Sequence, residues 1–198
     1  TTIAGYLVCG LAGEGPLLSE AEKEFVWGEV AGLAADKVLL ADCSAESVRE
    51  SLRLAAVAAG LGYAAAYLRM PQAYGGVSDP ALYFCTVADQ TKIPVLAPSF
   101  AGQHPNLLTL AVIEDASHLA ASLRSGQTCA VLDYASAAPY SAITIFEANL
   151  KREYEAAEDW QKRIFPVLAL IRRYGVAALK YAMDFNGYYG GMVRLPLR

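Results

Sequence analysis

Charge is scarce in this sequence and histidine scarcer: Asp, Glu, Lys and Arg make up 18% of 198 residues, and His104 and His118 are the two histidines. Cys9, Cys43, Cys85 and Cys129 include no C-x-x-C pair, and the histidines join no ligand cluster. A disulfide frame or a zinc site is therefore not expected, and reduced thiols in a cytoplasmic protein are. The net charge of −4, with Lys and Arg dispersed, offers no basic stripe for a phosphate backbone, so nucleic acid is not an expected partner. No apolar run reaches bilayer length, so no membrane partner is expected either. Thr1-Thr2 opens no targeting segment and there is no initiator Met, which places the natural N-terminus upstream as an expectation.

What is present is apolar residue in quantity, 55% of the chain, enough to bury a sizeable core. Short strand-like runs alternate with amphipathic helices, the pattern of a parallel sheet with helical crossovers. Strands are expected at Gly5 to Cys9, Val38 to Ala41, Tyr63 to Leu68 and Ile93 to Leu96. Ser19 with Glu22 forms a capping box before the first helix, Ser44 is expected to cap the second, and Asp79-Pro80 opens the third. Beyond Ser99 the rhythm breaks, because 99–106 holds no helix before an expected strand over Leu107 to Ile113. A helix from Asp115, a strand over Ala130 to Tyr134 and a helical run from Pro139 onward complete the pass. Periodicity alone leaves two architectures, an open doubly wound sheet and a (β/α) barrel. Gly10-Leu11-Ala12-Gly13-Glu14-Gly15 puts an acid where a pyrophosphate would approach, which counts against a dinucleotide fold.

Gly10 to Glu22, with Gly13-Glu14 and Leu18-Ser19 followed by Glu22, resembles the G-x-T-G-E-x-x-x-L-S-x-x-E stretch of the dihydrodipicolinate synthase and N-acetylneuraminate lyase family. Ala41 to Ser47 sits where that family carries a small-residue loop, and Pro71 to Tyr74 resembles its Pro-Tyr-Tyr region. Gly175 to Lys180, Gly187 to Gly191 and Arg194 to Leu197 look closest to its 4-hydroxy-2-oxoglutarate aldolase branch. The resemblance implies a (β/α)8 TIM barrel, incomplete in this chain, over 1–145 with a C-terminal helical extension over 146–198. It also implies a homo-oligomer, dimer or tetramer, and no cofactor. It implies a lyase that holds pyruvate or a related 2-oxo acid as a lysine Schiff base at the C-terminal face of the barrel, where a neutral amine attacks the carbonyl.

Carried over residue by residue, much of that site is altered. The two hydroxyl positions of the first loop fall on Leu11 and Ala12, leaving backbone N–H groups to hold a carboxylate. The tyrosine of the family's Tyr-Asn-x-Pro falls on Pro98. Tyr74 is the phenol retained near the Pro-Tyr-Tyr position, and Val131 falls where the family lines the floor beneath pyruvate. One alignment puts Glu114 at the catalytic lysine. The preferred one has the first strand and a later lysine-bearing βα unit outside this sequence. Lys180, on an apolar helix, and Lys92, before a strand, are expected to be structural. Glu14 and Asp42 follow strands and face two readings each, pocket or loop, and Cys43 at a strand end is read as a nucleophile or, in preference, a buried inert thiol. Two functions follow: a Schiff-base lyase on a 2-oxo acid, or a family member without catalysis that binds such an acid or serves as a scaffold.

Overall fold

The computed structural model describes residues 3–72, 79–98, 100, 102–108 and 112–198. Two compact units divide the chain, Ala4–Leu110 and Ala111–Arg198, the latter grouped with Thr1–Ile3.

In Ala4–Leu110 the strands are β1 (Gly5–Val8), β2 (Val38–Asp42), β3 (Ala65–Tyr67), β4 (Val95–Leu96) and β5 (Leu107–Leu108), and the helices α1 (Glu20–Leu33), α2 (Val48–Gly60) and α3 (Pro80–Gln90). The strands are parallel and ordered β1-β2-β3-β4-β5. Each crossover steps to the adjacent position and none reverses. A doubly wound sheet needs a reversal at its switch point, so the sequential order selects the barrel topology.

Alternation gives the sheet two faces. Val8, Leu39, Ala41, Cys43, Ala66, Leu68, Val95 and Ala97 pack with Trp27 of α1, Leu54 of α2 and Phe84 of α3 in one core. Trp27 and Phe84 are fully buried. Trp27 donates its indole N–H to the Val8 carbonyl at 3.4 Å, and its own carbonyl accepts the Tyr63 hydroxyl at 3.0 Å. On the other face the register aligns Asp42, Tyr67, Leu96 and Leu108 across four strands.

The helix starts are specified by side chains. Ser19 and Glu22 form the reciprocal capping box, and Asp79 accepts the Leu82 N–H at 3.0 Å with Pro80 in the first turn. The cap of α2 is Ser47 rather than the expected Ser44. Ser44 is committed to the strand ends, donating its N–H to Asp42 Oδ1 and accepting the Arg69 N–H at 2.8 Å. Among the described residues of 97–106 none is helical, as the sequence suggests. That link is pinned by Asn106, whose amide donates to the carbonyls of Ala88, Thr91 and Ile93, and by His104 against Asp89 at 2.9 Å.

The single strand expected over 107–113 is two: β5, paired with β4, and β6 (Val112–Ile113), paired with β7 (Cys129–Ala130). Each dipeptide has its own parallel partner, so the run is divided between the units. In Ala111–Arg198 a 3-10 turn at Ala116–His118, capped by Asp115, leads into α4 (Leu119–Arg124). The strand expected to reach Tyr134 stops at Ala130, because a second 3-10 turn occupies Asp133–Ser136. Helices α5 (Pro139–Leu150), α6 (Tyr154–Tyr174) and α7 (Val176–Phe185) follow, around a core of Leu119, Ile145, Ile164 and Leu168. Gln161 of α6 accepts the Ala120 N–H and donates to the Ala116 carbonyl. The Lys180 ammonium donates to the Met192 carbonyl at 2.8 Å, a structural use. No helix among the described residues is long and apolar enough to cross a membrane.

Candidate active site

A parallel sheet of this order places functional groups at the C-terminal ends of its strands, where connecting loops leave toward the helices. In Ala4–Leu110 those ends carry Cys9 and Gly10 after β1, Asp42 to Ser44 closing β2, and Leu68 and Arg69 after β3.

The loop after β1 reverses sharply. Cys9 and Glu14 adopt left-handed backbone conformations (φ 59° and 55°), Gly15 donates its N–H to the Gly10 carbonyl at 3.0 Å, and Glu14 donates to that of Leu11 at 3.0 Å. Gly15 is required there, since a Cβ would meet the Cys9 carbonyl oxygen. Leu11 is exposed and Ala12 half-buried at the tip. The backbone N–H groups of Leu11, Ala12 and Gly13 donate to no protein acceptor among the described residues. Such N–H groups are what a carboxylate takes at a loop without hydroxyls.

Asp42 is 1% exposed. Its Oδ1 accepts the Ser44 N–H at 3.0 Å, and its Oδ2 lies 2.7 Å from Arg69 Nη1. The Arg69 contact is ionic rather than a well-aligned hydrogen bond, so Oδ2 keeps an unmet acceptor in a buried place. Burial pushes the Asp42 carboxyl above the usual carboxylate range, opposed by the Arg69 charge, the Ser44 hydrogen bonds and the Lys23 charge. Oδ2 also lies 4.0 Å from where a Cβ on Gly10 would stand, so the ion pair adjoins the first loop. Lys23 is buried in the second turn of α1, and its charge reaches Cys9, Cys43 and Asp42.

Neither buried thiol is poised as a nucleophile. Burial raises Cys9 to about 11 and Cys43 further still, against the lowering effect of Lys23. Pro98 follows β4 by two residues, half-buried and without a proton to relay. Tyr74 lies outside the described residues. Val131 belongs to the other unit, one residue past β7, where its N–H donates to the Ile113 carbonyl at 2.9 Å. Glu114 is exposed just after β6. None of the six lysines, 23, 37, 92, 151, 162 and 180, follows the C-terminal end of a strand.

Sequence reading missed Arg69. Its signal is present: an arginine closing the otherwise apolar run Ala64 to Leu68, one strand over from an aspartate closing Val38 to Ala41. Alternation puts Arg69 on the face of Tyr67, which the register sets opposite Asp42.

This strand order and these strand ends are those of a (β/α) barrel. The sequence pattern described as the dihydrodipicolinate synthetase family matches residues 1–115, and the chain belongs to that family. A 4-hydroxy-tetrahydrodipicolinate synthase of Ruegeria pomeroyi is 25% identical over 98% of this chain and 80% of its own. Among solved structures, dihydrodipicolinate synthase from Acinetobacter baumannii matches with a TM-score of 0.86 at 18% identity, covering 97% of this chain and 80% of that one. N-acetylneuraminate lyase from Mycoplasma synoviae gives 0.83 at 20% identity, over 98% and 79%. These likenesses establish the incomplete TIM-barrel fold and a family of aldolases and lyases.

Proposed function

We propose that this chain acts on pyruvate or a related 2-oxo acid, as a lyase forming a Schiff base, with the acid's carboxylate seated at the strand ends of Ala4–Leu110. The observation that carries the reading is the first loop, where the N–H groups of Leu11, Ala12 and Gly13 are unspent and Gly10 adjoins a buried ion pair, in a member of this family. The pyruvate bound to the Acinetobacter neighbour supports the same substrate class. The C-terminal segments from Gly175 onward favour a 4-hydroxy-2-oxo acid among such substrates.

Loop N–H groups hold the acid and orient its carbonyl without charge. Tyr74 would serve as the phenol of the family's Pro-Tyr-Tyr position. A lysine amine must then attack the carbonyl. No described lysine stands at the family's place, and Leu11, Ala12 and Pro98 lack the hydroxyls that move protons there. Those departures favour a second reading, a binder of 2-oxo acids without catalysis. The assembly expected is a homo-oligomer.

Incubation with pyruvate and borohydride, followed by peptide mapping, separates the two. A reduced adduct on a lysine establishes the lyase and names its amine. Saturable pyruvate binding without an adduct establishes the binder, and no binding at all removes both.

A further inference from the structure

We infer that Arg69 grips the ligand's carboxylate in this chain, replacing the hydroxyl pair lost at Leu11 and Ala12, with Asp42 as the residue that positions it. The inference rests on the 2-oxo acid reading and names the group that recognises the acid. Nη1 of Arg69 is committed to Asp42 Oδ2, while Nε and Nη2 have no protein partner among the described residues, and the side chain is 27% exposed. A guanidinium drawn to Asp42 by one corner keeps its other edge, a planar set of N–H donors that matches a carboxylate, for a ligand.

Two anchors hold the pair at the strand ends. Asp42 is buried and is itself held by the Ser44 N–H, and the Arg69 backbone N–H is held by Ser44 Oγ at 2.8 Å. Gly10 closes the arrangement. A Cβ there would stand 4.0 Å from Asp42 Oδ2 and closer still to the Leu7 side chain, so the first loop approaches the ion pair at this glycine. A carboxylate gripped by Arg69 would have the unspent N–H groups of that loop as its further, uncharged donors. A structural ion pair alone accounts for Asp42 but leaves the free edge of Arg69 without a role.

The test compares three probes by calorimetry: pyruvate, its uncharged amide pyruvamide, and propionate, which keeps the carboxylate and lacks the 2-oxo group. Arg69→Lys keeps a charge for Asp42 and loses the planar fork. The pair Asp42→Asn with Arg69→Gln removes both charges together, so neither is stranded. Loss of a charge-assisted hydrogen bond corresponds to roughly a 10- to 100-fold weakening, which the double variant should show for pyruvate and propionate while pyruvamide is unchanged. Arg69→Lys should fall between it and wild type. Equal weakening of all three probes, or a double variant that binds pyruvate within twofold of wild type, overturns the grip. If wild type binds both carboxylates equally and depends on Arg69 for each, the grip stands and the 2-oxo reading falls. If wild type binds neither carboxylate, both fall.

Discussion

In Ala4–Leu110 each α-helix starts on a side chain that accepts a hydrogen bond from its first turn, namely Ser19, Ser47 and Asp79. In Ala111–Arg198 helices α5, α6 and α7 start at Ala138, Glu153 and Gly175 with no such bond. The strands differ in the same sense: five in one parallel sheet against two dipeptides. Helix α2 buries Ser51, Leu54, Ala55 and Ala58, whereas α7 buries Leu179 and leaves Tyr181 and Phe185 at 72% and 80% exposure. A capped helix on a sheet is specified by its own sequence and its nearest strand. An uncapped one depends on what packs against it, since isolated short helices are marginal in water. The first unit is therefore the more self-specified, and the second the more sensitive to its surroundings.

The sharpest way to break this comparison is to empty each core. Trp27→Ala removes a fully buried indole and should cost about 3–5 kcal/mol. Ile145→Ala, also fully buried, should cost about 2–5 kcal/mol. Hydrogen exchange is the discriminating measurement. Trp27→Ala should lower protection in β1, β2 and α1 first, and Ile145→Ala in α4 to α6 first. Loss spread evenly by either change would show the two units to be one cooperative block.

Next in size is the ion pair. Arg69→Leu strands a buried carboxylate and should cost about 3 kcal/mol at neutral pH, toward the low end for buried pairs because Arg69 is partly exposed. The pH dependence has a definite sign. Burial raises the folded-state Asp42 carboxyl above its unfolded value, so its contribution to stability is full at pH below about 3.9 and is lost as pH rises through the folded value. Arg69, with Lys23 behind it, opposes that rise, while the Cys9 and Cys43 thiols stay neutral. Without Arg69 the loss extends to higher pH. Urea unfolding of Arg69→Leu should thus show a steeper decline between acid and neutral pH than wild type, and parallel profiles would place the Asp42 charge elsewhere.

The same contrast governs what the sequence disclosed. Capping boxes, turn glycines and strand-like runs are local signals, so β1 to β4 and α1 to α3 were legible. Ser44 misled because a serine after a strand suits a cap and a strand-end hydrogen bond equally, and only the neighbour Arg69 decides between them. The run from Leu107 to Ile113 misled because its break depends on two different partners, β4 and β7, far away in sequence. The site was half legible. Leu11, Ala12 and Pro98 could be found by matching motifs, since they are departures from a pattern. Arg69 belongs to no motif, and its meaning depends on the register that sets Tyr67 against Asp42.

The smallest effects test the caps themselves. Ser47→Ala should cost about 1 kcal/mol by leaving the Glu50 N–H unpaired. The converse is a gain in the other unit. Ala138 precedes Pro139 with φ −138° and ψ 64° and caps nothing. A carboxylate there would sit among unpaired first-turn N–H groups at the positive end of the helix dipole, so Ala138→Asp should add about 0.5–1 kcal/mol. The readout is the urea midpoint at unchanged slope, which separates a change in stability from a change in the unfolded chain. If Ala138→Asp adds nothing while Ser47→Ala costs its full share, the start of α5 is held by packing of Ala142 and Ile145, and missing caps are no weakness in that unit. If both move as expected, helix starts account for part of the difference between the two units independently of their cores.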